Sequence, residues 1–147
     1  MEFPIDCADA AAMQALGRQL ARELAPGAVI GLDGDLGAGK TEMVKGLAAG
    51  VGHPGAVTSP TFTLLHEYRG GERPLFHFDF YRVERAEEIL DLGWDDFLEE
   101  GGLCAVEWAA RFPSLLPPEA LRLGITILPG GQRRVGLQAP VSGGGES

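Results

Sequence analysis

Apolar residues recur at intervals of three and four near the start of the chain, which is the spacing of one helical face. The residues on this face are Met13, Leu16, Leu20 and Leu24. Asp6 or Asp9 can cap the start of such a helix, because an aspartate oxygen accepts a hydrogen bond from a first-turn N–H. Pro26 and Gly27 end it. The short apolar run AVIGL that follows, at 28–32, predicts a buried strand.

A second amphipathic helix is predicted in the segment that follows residue 40. Its apolar side is formed by Met43, Val44, Leu47, Ala48 and Val51. Further along, two stretches rich in aromatic and aliphatic residues, 63–68 and 75–80, flank the turn sequence RGGERP. This arrangement predicts a β-hairpin.

The acidic stretch at 84–100 has helical character. Ile89 and Leu92 are expected on one apolar side, and Gly93 is expected to cap the helix at its C-terminal end. Such an acidic face is usually solvated, and the alternative is a docking surface for a basic partner.

Three further strands complete the pattern. An apolar run predicts a buried strand at 103–108, and alternating apolar residues predict a half-buried strand at 121–127. Gly130 and Gly131 turn the chain into a last strand at 133–139. Strands and helices in this mixture predict an α/β fold, a three-layer sandwich whose central sheet is mixed.

Length, charge and cysteine content restrict the possible domain organisation, binding partners and location of the protein. The 147 residues suit one domain, placed at 1–141, with a tail at 142–147 that is flexible by composition. The net charge of −9 argues against direct binding of nucleic acid, since phosphate backbones are bound by clustered Lys and Arg. Cys7 and Cys104 lack a CxxC companion, so buried thiols in a reducing cytoplasm are expected. Neither a signal peptide nor a membrane span is recognisable, which predicts a cytoplasmic location.

The glycine-rich stretch between the first predicted strand and the second helix carries the strongest chemical signal. Residues 34–41, GDLGAGKT, fit the P-loop pattern G-x-x-x-x-G-K-[ST] in its expected context. Glycines let the backbone curl around a phosphate chain with its N–H groups aimed inward. Lys40 is expected to bridge the terminal phosphates, and the Thr41 hydroxyl to bind Mg²⁺. ATP is preferred over GTP, because a chain without asparagine has no Asn-Lys-x-Asp guanine motif.

Two predicted strands end in an acid, LFHFD at Asp79 and LCAVE at Glu107. Nucleotide hydrolysis needs a carboxylate at the metal or its water, and a group that orients the attacking water. Either acid can serve beside Mg²⁺, and the residues alone leave that choice open. His66 and His77 can face each other across the hairpin, but a metal site there is not favoured.

The sequence TSPTF, at 58–62, lies between the P-loop helix and the hairpin. In nucleotide switches a loop threonine senses the γ-phosphate through Mg²⁺, so Thr58 or Thr61 can order this segment in the triphosphate state. The alternative is a surface turn that uses Ser and Pro for local hydrogen bonds.

These motifs together resemble the TsaE family, also called YjeE, of small bacterial P-loop ATPases that serve threonylcarbamoyladenosine modification of tRNA. The resemblance covers most of the chain, in order, and its most specific blocks are SPTF and DFYR. The matching segments are GDLGAGKT, VTSPTFTLLHEY, FHFDFYR, a GW segment in the acidic stretch, CAVEWAAR and LLP.

The resemblance implies a role for each site residue. Thr41 and Glu107 become the Mg²⁺ ligands, Asp79 the acid near the γ-phosphate, and Lys40, Asp79 and Glu107 the catalytic set. Thr61 belongs to a switch-like loop, and Trp108 matches the tryptophan that follows the metal-side glutamate. The residues expected at the nucleotide are Asp35, Gly37, Ala38, Gly39, Lys40, Thr41, Glu42, Thr61 and Trp108.

The resemblance also implies the proteins TsaD and TsaB as partners, with tRNA involved only indirectly. The ATPase is then expected to be slow alone, and a charge-stabilising group to come from a partner or from Arg82, Arg85 or Arg111. Two alternatives are a small-molecule or nucleotide kinase and a nucleotide-gated docking module without hydrolysis. The chain shows no arginine-rich lid of the kind that kinases use, and the pair of carboxylates argues weakly against a pure binding module.

Overall fold

A computed structural model describes residues 1–35, 37–55 and 64–138. Its centre is a seven-stranded sheet in the order β1-β7-β6-β2-β5-β4-β3. The strands are β1 (Ile5–Cys7), β2 (Val29–Gly34), β3 (Leu65–Tyr68), β4 (Leu75–Asp79), β5 (Leu103–Glu107), β6 (Leu121–Ile127) and β7 (Arg133–Leu137). The helices are α1 (Ala10–Glu23), α2 (Lys40–Gly50), α3 (Ala86–Asp91) and α4 (Trp94–Glu99), with 3₁₀ turns at Ala109–Arg111 and Pro113–Leu115.

The sheet is mixed, as predicted. Strands β6, β2, β5 and β4 are parallel neighbours, whereas β3, β7 and β1 pair antiparallel at the two edges. The P-loop strand β2 therefore lies between β6 and β5 in the parallel centre. The carboxyl ends of parallel strands meet at one edge of a sheet, which is where ligands bind in open α/β folds.

Side chains alternate between the two faces of the sheet and form two apolar layers. On one face Ile30, Leu32 and Ala105 pack with helices α1 and α2. On the other face Phe76 and Phe78 pack with α3, α4 and the 3₁₀ turns, around the buried ring of Trp94. Helices therefore cover both faces, which confirms the predicted three-layer α/β sandwich.

Helices α1 and α2 cross at a contact made by glycines. A Cβ atom built on Gly46 would lie 2.1 Å from the carbonyl oxygen of Gln14, and one on Gly17 would lie 2.5 Å from that of Met43. Neither distance is possible for real atoms, so the two backbones touch only because these positions lack side chains. This contact fixes the direction of α2 as it leaves the P-loop.

The structure differs from the sequence predictions at several elements. Asp9 caps α1 by accepting from the N–H of Ala12 at 2.9 Å, whereas Asp6 lies in β1, a strand that the sequence pattern did not reveal. The acidic stretch forms two short helices rather than one, with Gly93 at φ 102° between them. Ile89 is buried as expected, but the prediction for Leu92 is wrong, because its side chain is 43% exposed.

The prediction of buried thiols is met within the described residues. Cys7 and Cys104 are both free and buried. Across 1–35, 37–55 and 64–138, no helix combines the length and the apolar character that crossing a membrane requires. The predicted tail at 142–147 lies outside the described residues, and the domain boundary at 141 stays a prediction.

Candidate active site

A pocket of about 330 Å³ opens at the carboxyl ends of the central strands, beside the start of α2. Its walls come from the P-loop, from the ends of β4 and β5, and from the residues that follow them. The lining residues are Gly37, Gly39, Lys40, Thr41, Glu42, Asp79, Tyr81, Glu107 and Trp108. The fold thus brings to one pocket acids and P-loop residues that are far apart in the sequence.

The P-loop connects β2 directly to α2. Gly37 has φ 81° and Gly39 has φ 111°, in the left-handed region where a Cβ atom is unfavourable. Helix α2 begins at Lys40 with Gly39 as its N-cap, so no capping side chain covers the first turn. The amide groups of this turn and the positive end of the helix dipole make a binding site for an anion.

Lys40 is 5% exposed and lies against its own loop. Its ammonium donates to the carbonyl of Gly34 and, at 3.1 Å, to that of Asp35, and it sits 4.1 Å above the centre of the Trp108 ring. Burial lowers the pKa of Lys40, and the nearby Glu107 carboxylate is the largest of the charges that oppose this shift. The lysine thus supplies a partly desolvated positive charge at the pocket.

Asp79 and Glu107 end neighbouring parallel strands and are paired in register. Asp79 accepts from the N–H of Tyr81 at 3.0 Å. Burial raises the pKa of the Asp79 carboxyl, the Tyr81 bond opposes that shift, and the Glu107 charge adds to it. A carboxylate with a raised pKa accepts a proton more readily at neutral pH than an exposed one.

Glu107 has a buried partner behind it. The Nε2 atom of His77, which is 0% exposed, lies 2.6 Å from its Oε2 atom. Sequence reasoning identified His77 only as the register partner of His66, which it is, and missed this contact. The available signal was alternation along β4, because residues 77 and 79 share one face of the strand.

Arg133 at the start of β7 holds the P-loop from outside the pocket. Its guanidinium donates from Nε to the carbonyl of Ala38 at 3.2 Å and from Nη2 to that of Gly37 at 3.0 Å. It also donates to the carbonyl of Gly131. No local sequence pattern indicates this role, because Ala38 in the loop and Arg133 are 95 residues apart.

The remaining predicted residues are distributed as follows. The side chain of Ala38 is 1% exposed and belongs to the apolar layer under α1 and α2, and Asp35 lines a different cavity beside β6. Thr58 and Thr61 lie outside the described residues. Arg111 donates to the carbonyls of Tyr81 and Val83, which commits its guanidinium to the loop after β4.

Trp108 follows β5 in the left-handed conformation, with φ 59°. A non-glycine residue adopts this region only at some cost, typically of about 1 kcal/mol. The backbone N–H of Trp108 donates to the carbonyl of Leu32 on the P-loop strand at 2.9 Å. The centre of its ring lies 4.9 Å from the centre of the Tyr81 ring. The turn places the indole across from Lys40 as a wall of the pocket.

The oxygen atoms that line the pocket fit a magnesium ion. Thr41 offers a hydroxyl and Glu107 a carboxylate, and Mg²⁺ is commonly held by one or two protein oxygens together with waters and substrate phosphates. Within the described residues, no group of three or more His, Cys, Asp and Glu forms an all-protein metal site. The donor set therefore suits a metal that arrives with a phosphate ligand.

A smaller cavity of about 160 Å³ lies next to the pocket, against the P-loop. It shares Gly37, Gly39 and Glu42 with the larger pocket and is also lined by Asp9 and Met13 of the α1 region and by Arg133 of β7. The two cavities together offer room on both sides of the start of α2.

The chain is similar to known proteins along most of its length. A model of the family described as "Threonylcarbamoyl adenosine biosynthesis protein TsaE" matches residues 7–135. The Bacillus subtilis protein named tRNA threonylcarbamoyladenosine biosynthesis protein TsaE is 46% identical over 112 residues, which cover 76% of this chain and 70% of that protein. Its namesake from Synechocystis is 48% identical over 102 residues, covering 67% of this chain and 65% of that protein.

Two further proteins match this chain over a larger part of its length. The Treponema pallidum protein of the same name is 40% identical over 119 residues, covering 81% of this chain and 87% of that protein. A crystal structure of YdiB from Bacillus subtilis superposes with a TM-score of 0.77 at 33% identity, and the match covers 94% of this chain and 85% of that one.

Proposed function

The chain belongs to the TsaE family, whose members take part in tRNA threonylcarbamoyladenosine biosynthesis, and on this premise we propose that it is a Mg²⁺-dependent ATPase. Its turnover is slow alone and supports the tRNA modification by acting on a complex of TsaB and TsaD. The observation that carries the ATPase proposal is the shared pocket of Lys40, Thr41, Asp79 and Glu107.

The phosphate chain binds at the P-loop. The amides at 37–41 and the start of α2 receive the phosphates, and Lys40 exchanges the carbonyls of Gly34 and Asp35 for phosphate oxygens. That exchange is favourable because an anion is a stronger partner for a buried ammonium than a neutral carbonyl. The nucleoside extends into the smaller cavity that shares Gly37 and Glu42 with the pocket.

The hydroxyl of Thr41 and the carboxylate of Glu107 would hold the metal. Mg²⁺, when bound, neutralises the charge that develops on the phosphate oxygens. Asp79 orients the attacking water by accepting its hydrogen bond, and the raised pKa of this carboxyl suits it to take up the proton. The acidity of the chain is consistent with tRNA being bound by the partner proteins.

The test is a reconstituted modification reaction with purified protein, TsaB, TsaD, tRNA, a preformed donor of the threonylcarbamoyl group, ATP and Mg²⁺. We expect released phosphate, faster in the presence of TsaB and TsaD, and modified tRNA only with hydrolysable ATP. In a parallel assay with candidate hydroxyl and nucleotide acceptors, a phosphorylated acceptor would favour a kinase instead. If no phosphate appears in a single turnover, with or without the partners, the chain is a nucleotide-gated docking module.

A further inference from the structure

The buried contact between His77 and Glu107 is not used by the phosphate chemistry described so far. His77 lies in the middle of β4, paired with Ala105 of β5, and it is absent from the lining of the pocket. Its ring is 0% exposed. The imidazole therefore cannot touch a nucleotide, and it reaches the site only through the Glu107 side chain.

The contact identifies which ring nitrogen carries the proton. A carboxylate only accepts, so a hydrogen bond from His77 to the Glu107 carboxylate across the 2.6 Å between Nε2 and Oε2 places an N–H at Nε2. Nδ1 is buried and has no hydrogen-bond partner among the described residues. A second N–H there would be an unsatisfied buried donor, whereas a bare ring nitrogen is less costly to leave unpaired. The contact therefore favours the tautomer whose ring proton is on Nε2, facing Glu107.

This donor restricts how Glu107 can be oriented. A glutamate side chain has three rotatable bonds, and a free carboxylate beside the ammonium of Lys40 could turn towards that charge. Tethering Oε2 to a ring that is itself locked inside the sheet leaves the other oxygen for the pocket. A buried donor behind a ligating carboxylate typically changes metal affinity by about 10- to 100-fold.

We propose that His77 is a positioning residue that holds the Glu107 carboxylate in place for Mg²⁺ and thereby sets the magnesium requirement of the nucleotide site. The inference rests on the proposed Mg²⁺-dependent nucleotide binding. It adds a residue that neither contacts the phosphates nor lines the pocket.

The experiment measures the affinity for a non-hydrolysable ATP analogue by calorimetry at increasing Mg²⁺, and again in excess chelator. In His77→Leu, the Mg²⁺ concentration for half-maximal tightening is expected to rise by about 10-fold or more, while affinity in chelator stays unchanged. In His77→Gln, whose amide N–H can replace Nε2–H, it is expected to stay within about 3-fold of the unmodified protein. The matched control is His66→Leu, which removes the register partner on β3 and should leave the magnesium requirement unchanged.

The outcomes separate the two proposals. If the unmodified protein binds the analogue without any dependence on Mg²⁺, the proposed function fails and the role of His77 fails with it. If it depends on Mg²⁺ but His77→Leu responds like the unmodified protein, or His77→Gln is as impaired as His77→Leu, only the positioning role is overturned.

A second measurement uses the unmodified protein, so its result does not depend on whether a variant folds. Nitrogen NMR of the histidine rings in the unmodified protein reports the protonation of each ring nitrogen, and the His77 signals are expected to show a proton on Nε2 and none on Nδ1. A proton on Nδ1 with a bare Nε2 would overturn the proposal, since no donor would then face Glu107.

Discussion

Asp79 and Glu107 are register partners at the ends of adjacent parallel strands, yet their surroundings differ. Glu107 is 6% exposed and has His77 behind it, whereas Asp79 accepts only from a backbone N–H in the contacts described above. Burial and the neighbouring Glu107 charge both raise the pKa of Asp79. Two carboxylates with different environments are suited to different tasks, one at the metal and one at the water.

Replacing Asp79 by Asn is expected to stabilise the fold and to abolish most of the proposed hydrolysis. The raised pKa means that folding disfavours the charged carboxylate, so its cost is fully present above the folded-state pKa and is lost as the pH falls towards 3.8. The increase in Tm should therefore be largest near neutral pH and shrink in acid. Phosphate release should fall by about 100-fold or more, as for loss of a general base.

The control for this prediction is Asp91→Asn, which removes an exposed carboxylate at the end of α3. It should change neither phosphate release nor the dependence of Tm on pH. A variant Asp79→Asn that melts below the unmodified protein at neutral pH would contradict the burial argument.

Removing Arg133 should loosen the P-loop. Arg133→Ala takes two charge-assisted donors from the carbonyls of Gly37 and Ala38, and a loss of about 1 kcal/mol in binding corresponds to about 5-fold in Kd. Calorimetry with inorganic triphosphate, which has no nucleoside, tests whether the arginine acts through the loop. Affinity for triphosphate and for ATP should fall together.

The neighbouring Arg134→Ala provides a matched control, because Arg134 pairs with Asp6 on β1 and does not reach the P-loop. Its nucleotide affinity should equal that of the unmodified protein. If Arg133→Ala weakens ATP but leaves triphosphate unaffected, the arginine contacts the nucleoside rather than bracing the loop.

The contact between α1 and α2 predicts a strong effect of a single methyl group. Gly46→Ala places a Cβ 2.1 Å from a backbone carbonyl oxygen, so the helices must separate, at a cost of about 1–3 kcal/mol despite the better helix propensity of Ala. Chemical denaturation measures the free energy of unfolding. The control Gly136→Ala adds a methyl on β7 where no atom of the described residues lies within 4 Å, and should change stability by about 0.5 kcal/mol or less.

The two lysines of the chain give a direct test of the P-loop assignment. Lys40→Ala removes the buried ammonium and should abolish phosphate release, as should Thr41→Ala by removing a metal ligand. Lys45→Ala removes a charge that is 42% exposed and pairs with Glu42, so turnover should be retained. Undiminished turnover in purified Lys40→Ala would refute the site.

Local features of the site could be predicted from the sequence, and features that depend on tertiary contacts could not. The P-loop is contiguous, and Asp79 and Glu107 each follow an apolar run that is readable as a strand. By contrast, the contacts of His77 and Arg133 depend on strand order, which neighbouring residues do not encode. Strand β1 is only three residues long, too short for a periodic pattern to be seen.

Leu92 is a residue whose burial was predicted wrongly from helical spacing. Its spacing from Ile89 predicted a shared apolar face on one helix, but the helix ends at that point and the chain turns at Gly93. The left-handed glycine redirects the backbone, so helical spacing no longer determines which side of the segment meets the sheet.

The ring of Trp108 under the Lys40 ammonium has an optical consequence. The other tryptophan, Trp94, is 1% exposed and does not line the pocket, so its emission should respond less to events at the P-loop. Drawing the cation away from its position 4.1 Å above the indole changes the electric field across that ring. The protein thus contains an intrinsic fluorophore, Trp108, whose emission wavelength and intensity should change when the Lys40 ammonium moves, with no attached dye.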